Sequence, residues 1–276
     1  MTNIEWTEQT WNPTTGCDRI SPGCDHCYAL TMAKRLKGMG QAKYQTDGDP
    51  RTSGPGFGIT AHPDTLTEPL RWKKPRKVFV NSMSDLFHAR VPVDFITDVW
   101  RTMQATPQHT YQILTKRAAR LPRVLDRVHE ALGLDDPLPN VWLGTSIETD
   151  DYVRRATALR HSMAAVRFIS AEPLLCPLPS LDLDGIDWLI IGGESGPGAR
   201  SIEPWWIADL IHEARQTDTA PFVKQLGSAW ARDTSYAGKS VAAWGDTKGG
   251  LPSYWPTDLR VREYPKGSVE RRGAAA

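Results

Sequence analysis

From residue 77 onward the chain repeats one pattern: a short apolar or β-branched run, a cluster of polar residues, then a stretch whose apolar residues are spaced by three and four. The runs are Lys77–Val80, Thr110–Leu114, Asn140–Leu143, Val166–Ile169, Trp188–Ile191 and Pro221–Val223. Their near-continuous hydrophobicity predicts strands buried on both faces, the habit of parallel sheets. Between them Ile96, Val99, Trp100 and Met103 share one helical face, as do Leu121, Val124, Leu125, Val128 and Leu132, and later Ile207, Leu210, Ile211 and Ala214,. Asp151–Met163 and Cys27–Leu36 also read as helices. With a strand before Gly16, the alternation gives about seven β/α units and predicts an α/β fold, a full or partial parallel (β/α) barrel.

At 276 residues, 40% of them hydrophobic, the chain has material for one barrel-sized core,. The expected division is a barrel over residues 1–230 and a C-terminal extension over 231–276 that ends in a loose tail from Glu270,. Residues 38–75, rich in Gly, Pro and Thr, form an excursion that reads as a lid or substrate wall,. Net charge is +1, so a polyanion would have to be held by a local patch, because there is no global field,. No apolar run reaches the length of a membrane span, and Met1–Trp6 has neither the basic nor the apolar region of a signal peptide,. A cytoplasmic protein with no membrane partner is expected.

Each run is followed by polar residues where a barrel strand would end: Asn81–Asp85, Thr115–Arg117, Gly144–Glu148, Ser170–Pro173, Gly192–Ser195 and Lys224–Gln225. The C-terminal rim of a parallel barrel gathers ligand-binding groups, so these clusters are expected at one mouth, which favours an enzyme. Asp85, Glu148 and Glu172 also read as helix-start carboxylates, and Lys224 as a rim ligand or a surface lysine,.

Three of the four cysteines, Cys17, Cys24 and Cys27, crowd into one loop, with six residues and then two between neighbours. Such spacing is a poor disulfide framework and a good nest of soft metal ligands. Three thiolates leave a zinc or an iron-sulfur cluster one ligand short. Either the vacancy is functional, or a distant residue such as Cys176 or a histidine completes a structural zinc site; Cys176 otherwise reads as a buried small hydrophobe,.

The run Trp11-Asn12-Pro13-Thr14-Thr15-Gly16-Cys17, followed by Ser21-Pro22-Gly23-Cys24-Asp25-His26-Cys27-Tyr28-Ala29, closely resembles the three-Cys-motif family of phage and bacterial proteins, itself similar to the radical S-adenosylmethionine enzymes. The likeness continues through Phe79–His88, Leu114–Arg117, Asn140–Gly144, Ser170–Leu175 and Ile191–Arg200. It implies a radical-SAM-like barrel and a [4Fe-4S] cluster on Cys17, Cys24 and Cys27, the fourth iron being left to S-adenosylmethionine. An external one-electron reductant would drive cleavage to a 5′-deoxyadenosyl radical. The superfamily usually has three residues in the first gap, where this chain has six; the second gap matches, with His26 at the position of an aromatic that packs by the adenine. By position after the second strand, Ser82, Ser84 and Asp85 are the candidates for the methionine ammonium. Lys116 would meet a carboxylate, and Ser146 and Glu148 ribose hydroxyls. Glu172 and the loop Gly192, Gly193 and Glu194 complete the rim, although the superfamily's own Gly-Gly-Glu follows an earlier strand. His26 alternatively caps its loop.

The stretch Arg71-Trp72-Lys73-Lys74-Pro75-Arg76-Lys77 interleaves cations with an aromatic, which suits either a solvated strand start or a nucleic acid,. The expected function is therefore reductive cleavage of S-adenosylmethionine for radical chemistry on an unidentified substrate, a nucleobase or nucleic acid being the favoured class. The alternatives are a metal- or cluster-containing protein that binds nucleic acid or a partner without radical catalysis, and a hydrolase that uses the open metal site.

Overall fold

The computed structural model describes residues 4–266. Its centre is a seven-stranded sheet of β1 (Gln9–Trp11), β2 (Lys77–Val80), β3 (Thr110–Thr115), β4 (Val141–Ser146), β5 (Val166–Ala171), β6 (Trp188–Gly192) and β7 (Ala220–Gln225), in sequence order with every neighbouring pair parallel. Five crossovers carry helices: α1 (Tyr28–Gly38), α2 (Val93–Gln104), α3 (Leu121–Leu132), α4 (Arg154–Arg160) and α5 (Pro204–Gln216). A short α6 (Ser228–Asp233) follows β7. The step from β5 to β6 has no helix.

Strand side chains alternate between two cores, as the pleat requires. Odd-numbered positions such as Ile113, Leu143, Ile169, Leu189 and Ile191 pack with helical residues including Ile96, Leu121 and Ile207. On β4–β7 the even-numbered Trp142, Phe168, Trp188, Ile190 and Phe222 gather with Trp6 and Phe79 in a separate cluster that contains no helical residue. Helices on one face only, with the other face closed on its own side chains, make the architecture a partial barrel. Among the described residues no ladder joins β1 to β7.

The strands outrun the apolar runs that announced them. Thr145 and Ser146 still pair with Ile169 and Ser170, and β5 extends to Ala171. Polarity rises there while the backbone ladder continues, and Thr145 Oγ1 donates to Thr115 O at 2.9 Å. The predicted helix over residues 151–163 is shorter, a 3₁₀ turn at Asp150–Tyr152 and then α4. Within the excursion, Tyr44 and Phe57 pack on Ala29 and Ala33 of α1, and Thr65 O accepts from Trp11 Nε1 at 2.9 Å. Beyond residue 233 the chain returns to the barrel: Trp255 and Leu259 enter the outer core, and Tyr264 stacks on Trp188 at 5.4 Å. The expected loose tail lies outside the described residues. Among them no helix is long and apolar enough to cross a membrane.

Candidate cofactor site

The inner face grades from apolar to charged along the strands. On β4 the sequence of inward positions is Trp142, Gly144, Ser146 and then Glu148 just past the strand; β5 gives Phe168, Ser170 and Glu172; β6 gives Trp188, Ile190, Gly192 and Glu194. The result is an aromatic floor, a middle layer of small side chains and a charged rim. Gly144 is required by the floor, since a Cβ there would lie 2.3 Å from the Phe168 ring.

The cysteine loop is fastened onto that rim. It leaves the barrel through Gly16, whose positive φ of 88° and approach to Gly58 O suit glycine alone, and whose N–H donates to Met83 O at 3.0 Å,. A 3₁₀ turn at Pro22–Cys24 follows, and Cys27 stands directly before α1. Cys24 is buried and Cys17 and Cys27 are half-buried; all four cysteines are free thiols.

Most of the charged rim residues singled out from sequence hold this loop. Glu148, with no exposed side-chain surface, accepts from Ser21 Oγ (2.8 Å) and Arg155 Nη1 (2.9 Å) and pairs with Lys116 Nζ. Burial alone would raise its pKa, but Lys116 and Arg155 hold it below the ordinary value,. Gly23 lies so close that a Cβ would meet Glu148 Cγ at 2.5 Å. Asp85 accepts from Thr115 Oγ1 (2.7 Å), Phe87 N (3.0 Å), Lys116 N (3.1 Å) and Arg117 Nη1 (3.1 Å). Arg117 in turn reaches Cys17 Sγ at 3.3 Å and Asp18 O at 3.0 Å. Glu194 receives His26 Nδ1 at 2.9 Å and three Arg200 donors, while Arg200 Nη2 also donates to Pro22 O at 2.9 Å.

The other candidates occupy different places. Ser84 bonds Thr14 O at 2.8 Å, and Ser82 Oγ donates to Asn12 Oδ1 at 3.1 Å. Ser146 is buried in the middle layer. Gly193 packs against the Leu226 carbonyl, 2.4 Å from where a Cβ would stand. Glu172 pairs with Lys224 at 2.6 Å across the side-chain-free Gly192, and both remain partly exposed. Ser21, Arg155 and Arg200, which fasten the loop, escaped the sequence reading. Arg117 carries a signal of its own, a cation directly before the 3₁₀ turn Ala118–Arg120 and α3, where positive charge is disfavoured,.

The three thiols suit an iron-sulfur cluster by donor type. Cys24 lies within electrostatic reach of both Cys17 and Cys27. Burial pushes the Cys17 thiol up to about 12, Asp85 adds to the rise and Arg117 opposes it; the Cys27 thiol is raised chiefly by burial. Among the described residues no three His, Cys, Asp or Glu side chains converge as a single metal ion requires. A cluster sets each thiolate on a different iron and does not need that convergence.

Glu194 supplies a pH test of the fastening. Burial acts to raise its pKa, but the Arg200 and His26 hydrogen bonds bring it from 4.5 down to about 2. A depressed carboxyl stabilises the fold fully above the higher value and loses that contribution as pH falls toward the lower. Stability should therefore decline between about pH 4.5 and 2, and Glu194→Gln should flatten that limb of the unfolding profile,. An unchanged limb would show that the pair contributes nothing.

Residues 1–257 match the model of a family described as a protein of unknown function, DUF5131, and the chain belongs to that family. No curated protein sequence matches. Among solved structures, spore photoproduct lyase complexed with dinucleoside spore photoproduct is similar at 13% identity and a TM-score of 0.40, over 74% of this chain and 60% of that one. A mutant of the lyase with the same ligand is similar at 14% identity and a TM-score of 0.41, over 80% of this chain and 64% of that one. The chain thus spans less than two thirds of the length of either.

Proposed function

We propose that this family member is a [4Fe-4S] protein that reductively cleaves S-adenosylmethionine, with Cys17, Cys24 and Cys27 as the cluster ligands. The observation that carries the reading is the placement of the three thiols in one loop, tied by charged strand ends to the rim of a cup with a dry aromatic floor. The cluster with its bound cofactor supplies one-electron cleavage of a sulfonium, chemistry that a protein must orient and shield from water. This chain's residues do both. Arg117 holds the Cys17 sulfur from the strand side, and Glu148 and Glu194 fix the loop through Ser21 and through His26 and Arg200. Ser146, Ser170 and Gly192 leave the middle of the cup lined by small groups. Ser82, Glu172 and Lys224 are the partly exposed polar residues beside it.

In this reading Asp85, Lys116, Glu148 and Glu194 act one step behind the cofactor, because their polar atoms already have protein partners. A nucleobase or nucleic acid stays the favoured substrate class. Arg71, Lys73, Lys74, Arg76 and Lys77, however, approach β2 from its N-terminal end, opposite the rim. Lys73 and Lys74 are exposed there, Arg76 Nη1 lies 3.3 Å from Gln9 Oε1, and Lys77 Nζ lies 3.8 Å from the Tyr264 ring centroid. A polyanion held by this stretch would pass the closed end of the barrel.

Cys24→Ala is the direct test. Anaerobically purified variant should lose most of its iron and sulfide and all of its 5′-deoxyadenosine production. Iron content equal to that of the unaltered protein would mean that the ligands are misassigned.

A further inference from the structure

Of the six residues between Cys17 and Cys24, the first two, Asp18 and Arg19, lie against the excursion. Asp18 Oδ1 accepts from Thr52 Oγ1 at 2.8 Å and Ser53 Oγ at 3.0 Å, and Arg19 N approaches Thr52 O at 3.4 Å. With the first turns of α1 these segments enclose a groove of about 290 Å³ whose polar lining is Arg19, Thr31, Lys34, Arg51, Thr52 and Ser53. That volume lies at the small end of ligand pockets, which run from about 300 to 1,000 Å³. No carboxylate lines it.

Its charge is unbalanced. Arg51 is paired with Asp49 at 2.8 Å, but Arg19 and Lys34, both exposed, have no acidic partner among the described residues. Solvated lysines and arginines ordinarily diverge from one another. Here cations without an acidic partner, from two separate segments, line one concavity together with Thr31, so an anion seated there would meet both charges,. Tyr28, Thr31 and Lys34 follow one another at three-residue spacing, so they are neighbours on the surface of α1,. Tyr28 is 57% exposed and stands next to Cys27, with its hydroxyl donating to Ser82 O. An exposed ring one step from a cationic groove is the arrangement that takes a base by stacking and its phosphate by charge.

We propose that this groove binds the phosphate of a nucleotide or of a single-stranded phosphodiester, with the attached base beside Tyr28. The six-residue gap in the cysteine motif is then part of a ligand site, since it contributes Arg19 and docks on the loop that completes the lining. Phosphate binding stands on the groove alone; that the bound molecule is the substrate rests on the function proposed above.

The test uses full-length protein whose iron content and 5′-deoxyadenosine yield are measured in the same samples. Titration calorimetry compares thymidine 5′-monophosphate, thymidine, a short deoxythymidine oligomer and polyglutamate. Arg19→Glu with Lys34→Glu should weaken binding of the phosphate-bearing probes at least about tenfold and lower the salt slope for the oligomer by roughly one per cation. Lys73→Glu with Lys74→Glu should change neither. Binding of the monophosphate assigns a free nucleotide as the source, and binding of the oligomer alone assigns a phosphodiester chain. Thymidine matching the monophosphate, polyglutamate matching the oligomer, affinity indifferent to the reversals, or no phosphate binding would each overturn the proposal; the polyglutamate result would point to an acidic protein surface instead. Arg19→Gln with Lys34→Gln, checked by thermal unfolding, guards against misfolding and should lose the same affinity in part. A protein that binds phosphate through the groove but makes no 5′-deoxyadenosine would sink the proposed function and leave the groove standing.

Discussion

Glu148→Ala is expected to destabilise the protein by about 3–5 kcal/mol, the usual penalty when one partner of a buried ion pair is removed and its cations stay behind. Arg155 is buried and Lys116 largely so, and each would lose its charge partner. The same change detaches Ser21, the contact that ties the stretch between Cys17 and Cys24 to β4. Two readouts should therefore move together. The midpoint of urea unfolding falls, and alkylation of Cys24, buried in the intact protein, speeds up under native conditions. Glu148→Gln should keep the Ser21 hydrogen bond, so its alkylation rate should stay nearer that of the unaltered protein even though stability falls. A lowered urea midpoint with unchanged alkylation in Glu148→Ala would show that the carboxylate supports the barrel and not the loop.

Trp188→Ala should cost about 3–5 kcal/mol for a different reason, the emptying of a packed aromatic floor. The indole has no exposed surface. It meets Trp6, Trp142 and Phe222 edge-on at 6.0, 5.8 and 5.8 Å, lies against Phe168 at 5.7 Å, stacks on Tyr264 at 5.4 Å, and donates from Nε1 to Glu263 O at 2.9 Å. Alanine leaves a cavity that five rings from five segments cannot all collapse into, and strips a carbonyl of its donor. Chemical denaturation measures the cost, and Trp188→Phe should recover part of it. A loss below about 1 kcal/mol would mean that the floor repacks freely and does not set the cup's depth.

The fold was readable because parallel strands in a barrel are buried on both faces, so their sequences stay apolar over several consecutive residues. The same rule hid their ends. At Thr145, Ser146 and Ser170 the inner face turns polar while the ladder goes on, and a reading by hydrophobicity stops too early. The closing contributions of Trp6 and Tyr264 had no periodic signal at all, since each is one side chain of an irregular segment.

At the site, residue types were legible and partners were not. Asp85, Lys116, Glu148 and Glu194 stand at strand ends as the polar clusters indicated, but Glu148 is held by Ser21 and Arg155, Glu194 by Arg200 and Asp85 by Thr115 and Arg117, partners that hydrophobic periodicity does not reveal. Ser21 and Glu148 are 127 positions apart. Residue types at the rim were therefore legible, while the ties of Glu148 to Ser21 and of Glu194 to His26 and Arg200 appear only in the folded chain. Composition likewise found the cations of Arg71–Lys77 but not the end of the barrel they occupy, and it overlooked Arg19 and Lys34, which come to line one groove only when the cysteine loop, α1 and residues 50–55 of the excursion meet.

A cluster held by the loop of Cys17, Cys24 and Cys27 would cleave S-adenosylmethionine when reduced. The most direct measurement is 5′-deoxyadenosine formed by the anaerobically reconstituted, reduced protein, read against iron and sulfide in the same sample. The predicted result is roughly four irons and four sulfides per chain, as a [4Fe-4S] cluster requires, with 5′-deoxyadenosine appearing only when reductant and S-adenosylmethionine are both present. A reduced, fully loaded cluster that releases none, or zinc in its place, would contradict it.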